Sequence, residues 1–455
     1  WYRFENINQP VEIFLDSPAY TRESEEGSDG QSRHDLNQLG YSQGVIKSGE
    51  NYHTYNQKGW GEFSYQIHTQ WQKNENSFTG CWSVSSSNKD WEPKPEASEL
   101  VAEVFQEGME KSYRDHLDWW TWYWKQSDVS IPDSLLQKQY YLEMYKFGSV
   151  ARADAPPIAL QAVWTADHGK LPPWKGDFHH DLNTQLSYWP SYAGNYLDLE
   201  EGFINWLWKY RPTFKKYTHD FYETDGLNVP GVTTLDGEPM GGWIQYSFGP
   251  TVACWLSHHF YLHWRYTMDR EFLEQKAYPW IKDVAVFLDE VAVKENGKRK
   301  LPISSSPEIF DNSRKAWFAE TTNFDLALIH WTYEKAAEMA RELYLNDEAQ
   351  KWEQILSEWP RLAVDPETGL MFSPDVPYAQ SHRHFSHLMG FHPLGLIDFS
   401  NGKEDIEIIR NTLDNLEKQG PDWWTGYSYS WQANLYARAF ENKKAAEALR
   451  IFAEC

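Results

Sequence analysis

The sequence predicts a mainly α protein in which a helical toroid follows part of a β-sandwich. Three observations carry that expectation. Residues 1–95 alternate in polarity and are broken often by Gly, Asn and Ser, as short strands and their turns are. Composition shifts at Pro93-Lys94-Pro95, and from Ala97 onward apolar residues recur at the helical period. Loops rich in Pro, Gly, Trp and His separate the helical stretches, as expected of a scaffold whose site lies at its loop end.

Taken in order, Phe63 to Trp71 alternates like a half-buried strand, and Gly80-Cys81-Trp82-Ser83-Val84 follows a turn signal. The region reads as the later part of a sandwich, because the chain opens abruptly into it. Residues 96–130 form a helical linker of one or two helices, with Trp at 119, 120, 122 and 124. Residues 131–455 form the helical domain. Its period is clear near 135–152, 200–218, 251–268, 273–293, 404–418 and 430–452, and in Leu326, Ile329, Tyr333, Ala336, Ala340 and Leu343. Lys294 to Lys300 reads as a charged hairpin. No short repeat runs through the chain.

At 455 residues the chain exceeds one ordinary domain, and 41% hydrophobic content is enough for a packed core. The disordered class is thereby excluded. Lys and Arg number 42 against 66 Asp and Glu, a net charge of −24. Such a surface repels nucleic acid and anionic lipid, so neither is an expected partner. No apolar stretch reaches membrane-spanning length. Cys81, Cys254 and Cys455 are too few and too widely spaced for a metal motif or a disulfide framework, and Cys254 sits in an apolar helical run. The chain starts at Trp1, so any leader peptide is absent from it. The unusual figure is 25 Trp. Indole offers a flat apolar face and one N–H donor, which suits the face and rim of a sugar ring; large helical proteins also use Trp as core filler.

Four strings carry possible chemistry. The first runs from Leu160-Gln161-Ala162-Val163-Trp164 through Pro172-Pro173-Trp174-Lys175-Gly176-Asp177 and His179-His180-Asp181-Leu182-Asn183 to Ser187-Tyr188-Trp189-Pro190. It interleaves bidentate polar groups with aromatics, as sugar recognition requires; helix-capping Asp and Asn give the plainer reading. The second is Ile303-Ser304-Ser305-Ser306-Pro307-Glu308. Pro307 restricts its neighbour, which places Glu308 on a stiff loop. A proton donor to a glycosidic oxygen needs that rigidity, with a pKa raised by partial burial; a Ser-Pro-Glu helix start is the alternative. The third, Ser381-His382-Arg383-His384-Phe385-Ser386-His387, lacks metal-site spacing and sets a cation between two histidines, so no metal or other cofactor is expected. Hydroxyl binding, or orientation of a carboxylate, suits it better. The fourth, Pro421-Asp422-Trp423-Trp424-Thr425-Gly426-Tyr427-Ser428, leads into a helix that Asp422 could cap or overhang as a base.

These strings, in this order from about His116 to Arg438, resemble glycoside hydrolase family 95, a family of α-L-fucosidases and α-L-galactosidases. The longest similar stretch, Ala253 to Phe260 and on through Arg265 to Pro279, is scaffold. The resemblance implies a mainly α fold, an (α/α) six-hairpin toroid preceded by part of a β-sandwich domain and a helical linker. It implies hydrolysis with inversion. Glu308 matches the family's general acid, Asp422 its carboxylate in an Asp-x-x-Thr-Gly loop, and Asn183 the second asparagine of an Asn-x-Asn pair that holds water. His382, Arg383 and His384 match a string near the site, and Asp325 an aspartate opening a barrel helix. The first family asparagine is Asp181 here. After Gly242-Trp243 the family's His-His-Asn-Thr-Asp is replaced by Ile244-Gln245-Tyr246-Ser247-Phe248, a loop expected to touch substrate.

The expected site therefore comprises Glu308, Asp422, Asn183 and Asp181 as catalytic groups. Trp164, Trp174, His180, Trp189, Trp243, His382, Arg383, His384 and Trp424 are expected to bind an oligosaccharide or polysaccharide. The expected location is periplasmic or secreted. Two other readings stay open: a hydrolase of another helical-toroid family acting on rhamnosides or α-glucosides, and a non-catalytic carbohydrate-binding protein.

Overall fold

Five strands, β1 (Tyr2–Glu5), β2 (Val45–Ser48), β3 (Tyr52–Lys58), β4 (Ser64–Lys73) and β5 (Ser77–Ser86), form an antiparallel sheet in the order β1-β5-β4-β3-β2. The computed structural model describes residues 1–15, 39–88, 95–164, 174 and 176–454. Pro93 and Lys94 of the expected boundary, Pro172, Pro173 and Lys175 of the first string, and Cys455 lie outside the described residues. The chain divides into two units: Trp1–Asp128 with Asp154–Pro156 and Gln161–Gly176, and Val129–Ala153 with Pro157–Leu160 and Asp177–Cys455.

In the first unit the two-residue alternation sorts the sheet into faces. Helix α1 (Ala97–Glu107) packs on β4 and β5, where Ala97 N donates to Ser85 Oγ at 2.8 Å and Ser98 N to Gln66 Oε1 at 2.9 Å. Trp82 and Val84 on β5 are exposed. Helix α2 (Met109–Trp124) begins after Gly108, whose φ of 86° breaks the helical path and makes the expected linker two helices. Its tryptophans stack at one-turn spacing, Trp119 on Tyr123 at 5.3 Å and Trp120 on Trp124 at 5.8 Å. They are wall for this unit.

The second unit is the helical toroid. It contains α3 (Ser134–Val150), α4 (Asn183–Ala193), α5 (Leu197–Tyr222), α6 (Ile244–Ser247), α7 (Val252–Thr267), α8 (Arg270–Phe272) and α9 (Tyr278–Val291). It continues with α10 (Asn323–Glu342), α11 (Asn346–Ser357), α12 (Lys403–Gln419), α13 (Gly426–Arg438) and α14 (Asn442–Glu454). Helices α7 and α10 are buried on all sides over Val252–Phe260 and Asn323–Ile329, so the polar side chains they carry there must be paired inside the protein. Cys254, in α7, is core. Helix α12 buries only Ile409, Thr412, Leu413, Asn415 and Leu416 and turns its charged face outward.

The single stretch expected at 430–452 is two helices, α13 and α14, turned at Phe440 with φ 59°. Two helices carry weak sequence signals. Helix α4 contains Pro190, and α11 buries just Ala349, Trp352 and Ile355. The hairpin expected at Lys294–Lys300 is present as Val293–Glu295 paired with Lys298–Lys300.

One buried carboxyl ties the loop ends of the inner helices. Asp325, in the first turn of α10, accepts from Ser304 Oγ at 2.5 Å and from Thr251 Oγ1, beside α7, at 2.6 Å. Thr322 caps α10 and donates from Oγ1 to Ser305 O at 2.8 Å. Burial raises the Asp325 carboxyl to about 6 against the pull of these hydrogen bonds. Asp325→Ala strands the Thr251 hydroxyl and leaves Ser304 Oγ only its contacts with Thr322, at about 1–3 kcal/mol for a stranded group. Its denaturant midpoint should fall accordingly in equilibrium unfolding, and an unchanged midpoint would refute this role.

Candidate active site

The site assembles where the loops before α4, α10 and α12 meet the first turn of α13. Glu308 follows Pro307 in a turn, with φ 59°, and is not the first residue of a helix. That left-handed backbone disfavours any side chain with a Cβ, so surrounding contacts must hold it. They are on both sides. Ile309 N donates to Ser306 O at 3.1 Å, and Asp311 N to Glu308 O at 3.1 Å. Gln245, buried in α6, donates from Nε2 to Ser306 O at 3.2 Å and to Ile309 O at 3.1 Å, bracketing the turn. Ser306 Oγ lies 2.6 Å from Ser386 Oγ and joins the turn to the histidine loop. The 244–248 loop, expected to touch substrate, thus also clamps the Glu308 turn.

Glu308 Oε2 meets the Arg383 guanidinium and, at 3.0 Å, His384 Nε2. The histidine loop is itself stitched in place. His384 N donates to His382 Nδ1 at 3.0 Å, and Ser428 Oγ, in the capping box of α13, donates to Arg383 O at 2.9 Å. Thr425 caps α13, not Asp422.

Asp181 is buried close enough to Glu308 and His384 to feel their charge. Burial raises its carboxyl, opposed by His384 and His179 and reinforced by Glu308. Glu308 goes the other way. Burial would raise it, but the hydrogen bond and charge of His384, with the charges of Arg383 and His382, hold it below its ordinary value. The rise expected for a proton donor at this position is therefore outweighed by three basic neighbours. Two phenols that sequence reasoning missed complete the group. Tyr246 and Tyr427 both have ionisation suppressed, first by burial and then by the charges of Asp181 and Glu308. The Tyr427 ring lies 5.4 Å from that of His384, and its hydroxyl is buried without a partner. Tyr246 had a signal, its place in the substituted loop.

The backbone sets the Asp181 segment. Gly231 N donates to Tyr246 O at 3.0 Å, and His180 N donates to Gly231 O at 2.8 Å. A Cβ on Gly231 would stand 2.7 Å from Tyr246 O, so only glycine permits this approach.

The other expected residues lie in varied places. Asn183 is exposed at the start of α4. His180 is wholly buried between Thr233 Oγ1 at 2.9 Å and Thr184 Oγ1 at 3.3 Å, with burial pushing its ring down to about 3. Trp189 is half-buried, with Trp255 at 6.3 Å and Trp431 at 5.9 Å. Trp243 stacks on Tyr246, and Trp424 meets Phe385 edge-on at 5.1 Å. Asp422 is exposed on the turn before α13, and among the described residues it makes no hydrogen bond or ion pair. Trp164 and Trp174 are exposed in the first unit. A cavity of about 20 Å³, enough for one water, lies among Leu182, Trp255, Pro307, His384, Tyr427 and Trp431. A larger groove of about 630 Å³, lined by Glu334, Arg361, Asp365 and Glu404, holds none of these residues. Among the described residues no group of three or more His, Cys, Asp or Glu is placed to hold a metal ion.

The helical toroid and its family are those of glycoside hydrolases. The glycosyl hydrolase family 95 catalytic domain matches residues 121–454, and the chain belongs to that family. It is 26% identical over 340 residues to "Alpha-L-fucosidase 2" of Arabidopsis thaliana, covering 70% of this chain. It is 24% identical over 335 residues to "Probable alpha-fucosidase A" of Aspergillus niger, covering 64% of this chain. The matched region spans 38% of each relative's length. A solved structure, "Putative kojibiose phosphorylase from human microbiome", shares the fold with a TM-score of 0.67 at 11% identity, covering 99% of this chain and 67% of that one.

The charge pattern predicts a titration. Arg383→Met removes one of the cations that lower Glu308, so its carboxyl should titrate at higher pH than in the parent. Carbon-13 NMR with carboxyl-labelled glutamate reads this directly; an unmoved midpoint would mean that Arg383 does not hold the carboxylate.

Proposed function

We propose that this chain is the catalytic part of an exo-acting glycoside hydrolase that removes a terminal α-L-fucose or α-L-galactose from an oligosaccharide or polysaccharide, with inversion. One observation carries the reading: Glu308, at the place of the family's Ser-Pro-Glu acid, shares a polar site with the buried carboxyl Asp181, which feels its charge. The shifts of the two carboxyls are opposed and taken alone suit the reverse division of labour, so the resemblance of the Ser-Pro-Glu string is what assigns the acid to Glu308. Glu308 protonates the departing oxygen. Asp181, with Asn183 two residues on, holds and deprotonates the water on the opposite ring face. Inversion calls for carboxyls roughly 6.5–9.5 Å apart. Asp422, exposed on the turn before α13, is the other carboxylate that could activate the water.

In this reading Arg383, His382, His384 and the Tyr246 and Tyr427 hydroxyls serve the sugar's hydroxyls, while Trp189, Trp243 and Trp424 offer ring faces. His180 acts from the core, holding its segment through Thr233. Glu308 is ionised in the free protein, so it must gain a proton before it can donate one. His384 Nε2 lies 3.0 Å from that carboxylate. A periplasmic or secreted location belongs to the same proposal. Among the described residues no helix is long and apolar enough to cross a membrane.

The same charge pattern favours a second assignment, in which neutral Asp181 donates and ionised Glu308 accepts. The leaving group separates the two. Loss of general-acid catalysis typically costs about 10²–10⁴-fold on a substrate whose leaving group needs a proton. A glycosyl fluoride needs far less help. Glu308→Gln should therefore fail on an α-1,2-fucoside and keep much of its rate on α-L-fucosyl fluoride, while Asp181→Asn should fail on both. The reverse pattern transfers the acid role to Asp181, and parental rates in both variants would remove the pair from catalysis.

Stereochemistry is a separate check. Proton NMR of the first-formed sugar should show the β-anomer from an α-linked substrate; the α-anomer would exclude direct attack by water.

A further inference from the structure

A buried line of polar side chains in the toroid takes no part in the steps above. Glu200, on α5, is fully buried. Its Oε2 lies 2.7 Å from His263 Nδ1 on α7, and its Oε1 lies 2.9 Å from the Tyr192 hydroxyl oxygen on α4. The same Tyr192 oxygen is 2.7 Å from His259 Nδ1. His259 Nε2 is 2.7 Å from Gln185 Oε1, and Gln185 Nε2 donates to His180 O at 2.9 Å. The line thus ends on the carbonyl of the peptide that leads into Asp181.

Counting protons along it leaves one arrangement for a neutral His259. The His180 carbonyl only accepts, so Gln185 must turn its NH₂ to it and its oxygen to His259. That oxygen also only accepts, so His259 donates from Nε2. Burial, with the charges of His258 and His180, keeps the His259 ring well below its ordinary value, which leaves it neutral with a bare Nδ1. Tyr192 must supply Nδ1 with its single hydroxyl proton. Its oxygen then meets Glu200 as an acceptor, and an ionised Glu200 would set two acceptors 2.9 Å apart in a dry interior.

We infer that Glu200 is a neutral carboxylic acid in the folded protein. It is the donor end of a positioning chain, Glu200–Tyr192–His259–Gln185, that fixes the His180–Asp181 peptide. The groups facing Glu200 agree. His263 and His259 come from α7, Tyr192 and Tyr188 from α4, and Glu201 from its own helix. Burial is the largest influence and raises Glu200; Glu201 adds to the rise, while His263 and Tyr192 oppose it. The inference rests on the proposed role of Asp181 only for its catalytic arm.

Glu200→Gln is the first test, because the amide copies a protonated carboxyl atom for atom, with NH₂ toward Tyr192 and oxygen toward His263. A raised folded-state pKa contributes stability that is complete below the unfolded value and is lost as pH rises through the folded one. Melting temperatures of parent and Glu200→Gln should therefore agree at acid pH, and the variant should melt higher as pH rises. A variant that melts lower at neutral pH means an ionised Glu200 and overturns the inference, whatever the enzyme's substrate.

Gln185→Glu is the second test, since it points a carboxylate at the His180 carbonyl. It should lose kcat on the order of tenfold to a hundredfold with KM nearly unchanged, while Glu200→Gln keeps kcat within about twofold. If Gln185→Glu does not fold, Tyr192→Phe cuts the chain at its middle link by removing one atom, and should also lower kcat alone. Parental kcat in whichever variant folds denies the chain a positioning role. No turnover in the parent would count against the proposed activity and leave the melting test intact.

Discussion

A carboxylate at the tip of a left-handed turn, held against a guanidinium and an imidazole, is the interaction on which the site depends. Glu308 cannot stay at φ 59° by its own preference. Gln245 from one loop and Ser386 from another hold the turn, and Arg383 and His384 hold the carboxylate. Remove either set and the other loses its purpose, because the ion pair is formed only where the turn puts it.

The toroid supplies the place for this. Inner helices such as α7 and α10 are buried through Val252–Phe260 and Asn323–Ile329, so the polar groups at their loop ends must find partners there. There Thr251, Ser304, Thr322 and Asp325 satisfy one another, and the loops they anchor carry the chemistry. A stiff ring of helix ends with irregular loops above it separates stability from specificity.

Much of this was legible in the sequence. Helical period marked α3, α5, α7, α9, α10 and α12, because burial of one stripe or of a whole helix leaves a pattern. Helix α4 did not show, since its residues double as site and wall and include Pro190. Among site residues, Glu308, Asp181, Arg383 and His384 could be named from local strings and family resemblance, and they meet in space. Gln245 and Tyr246 were marked only as members of a substituted segment and Tyr427 only as a member of the fourth string, because their individual roles come from contacts distant in the chain, such as Gln245 to Ser306. Asp422 had the right neighbours in sequence, but Thr425 took the cap and left it outside. The charge on Glu308 was misjudged for a related reason: partial burial is a local property, while the cations that overrule it arrive from another loop.

The approach of Tyr246 to Gly231, and of Gly231 to His180, is made by main-chain atoms alone. Such a ladder does not register which side chains the 244–248 segment carries, so long as position 231 has none. Most of that segment can therefore change without shifting the turn that presents Asp181, and Gln245 is the exception, because its side chain also holds the Glu308 turn. The main chain of one short helix thus steadies one carboxyl while a single side chain of it steadies the other.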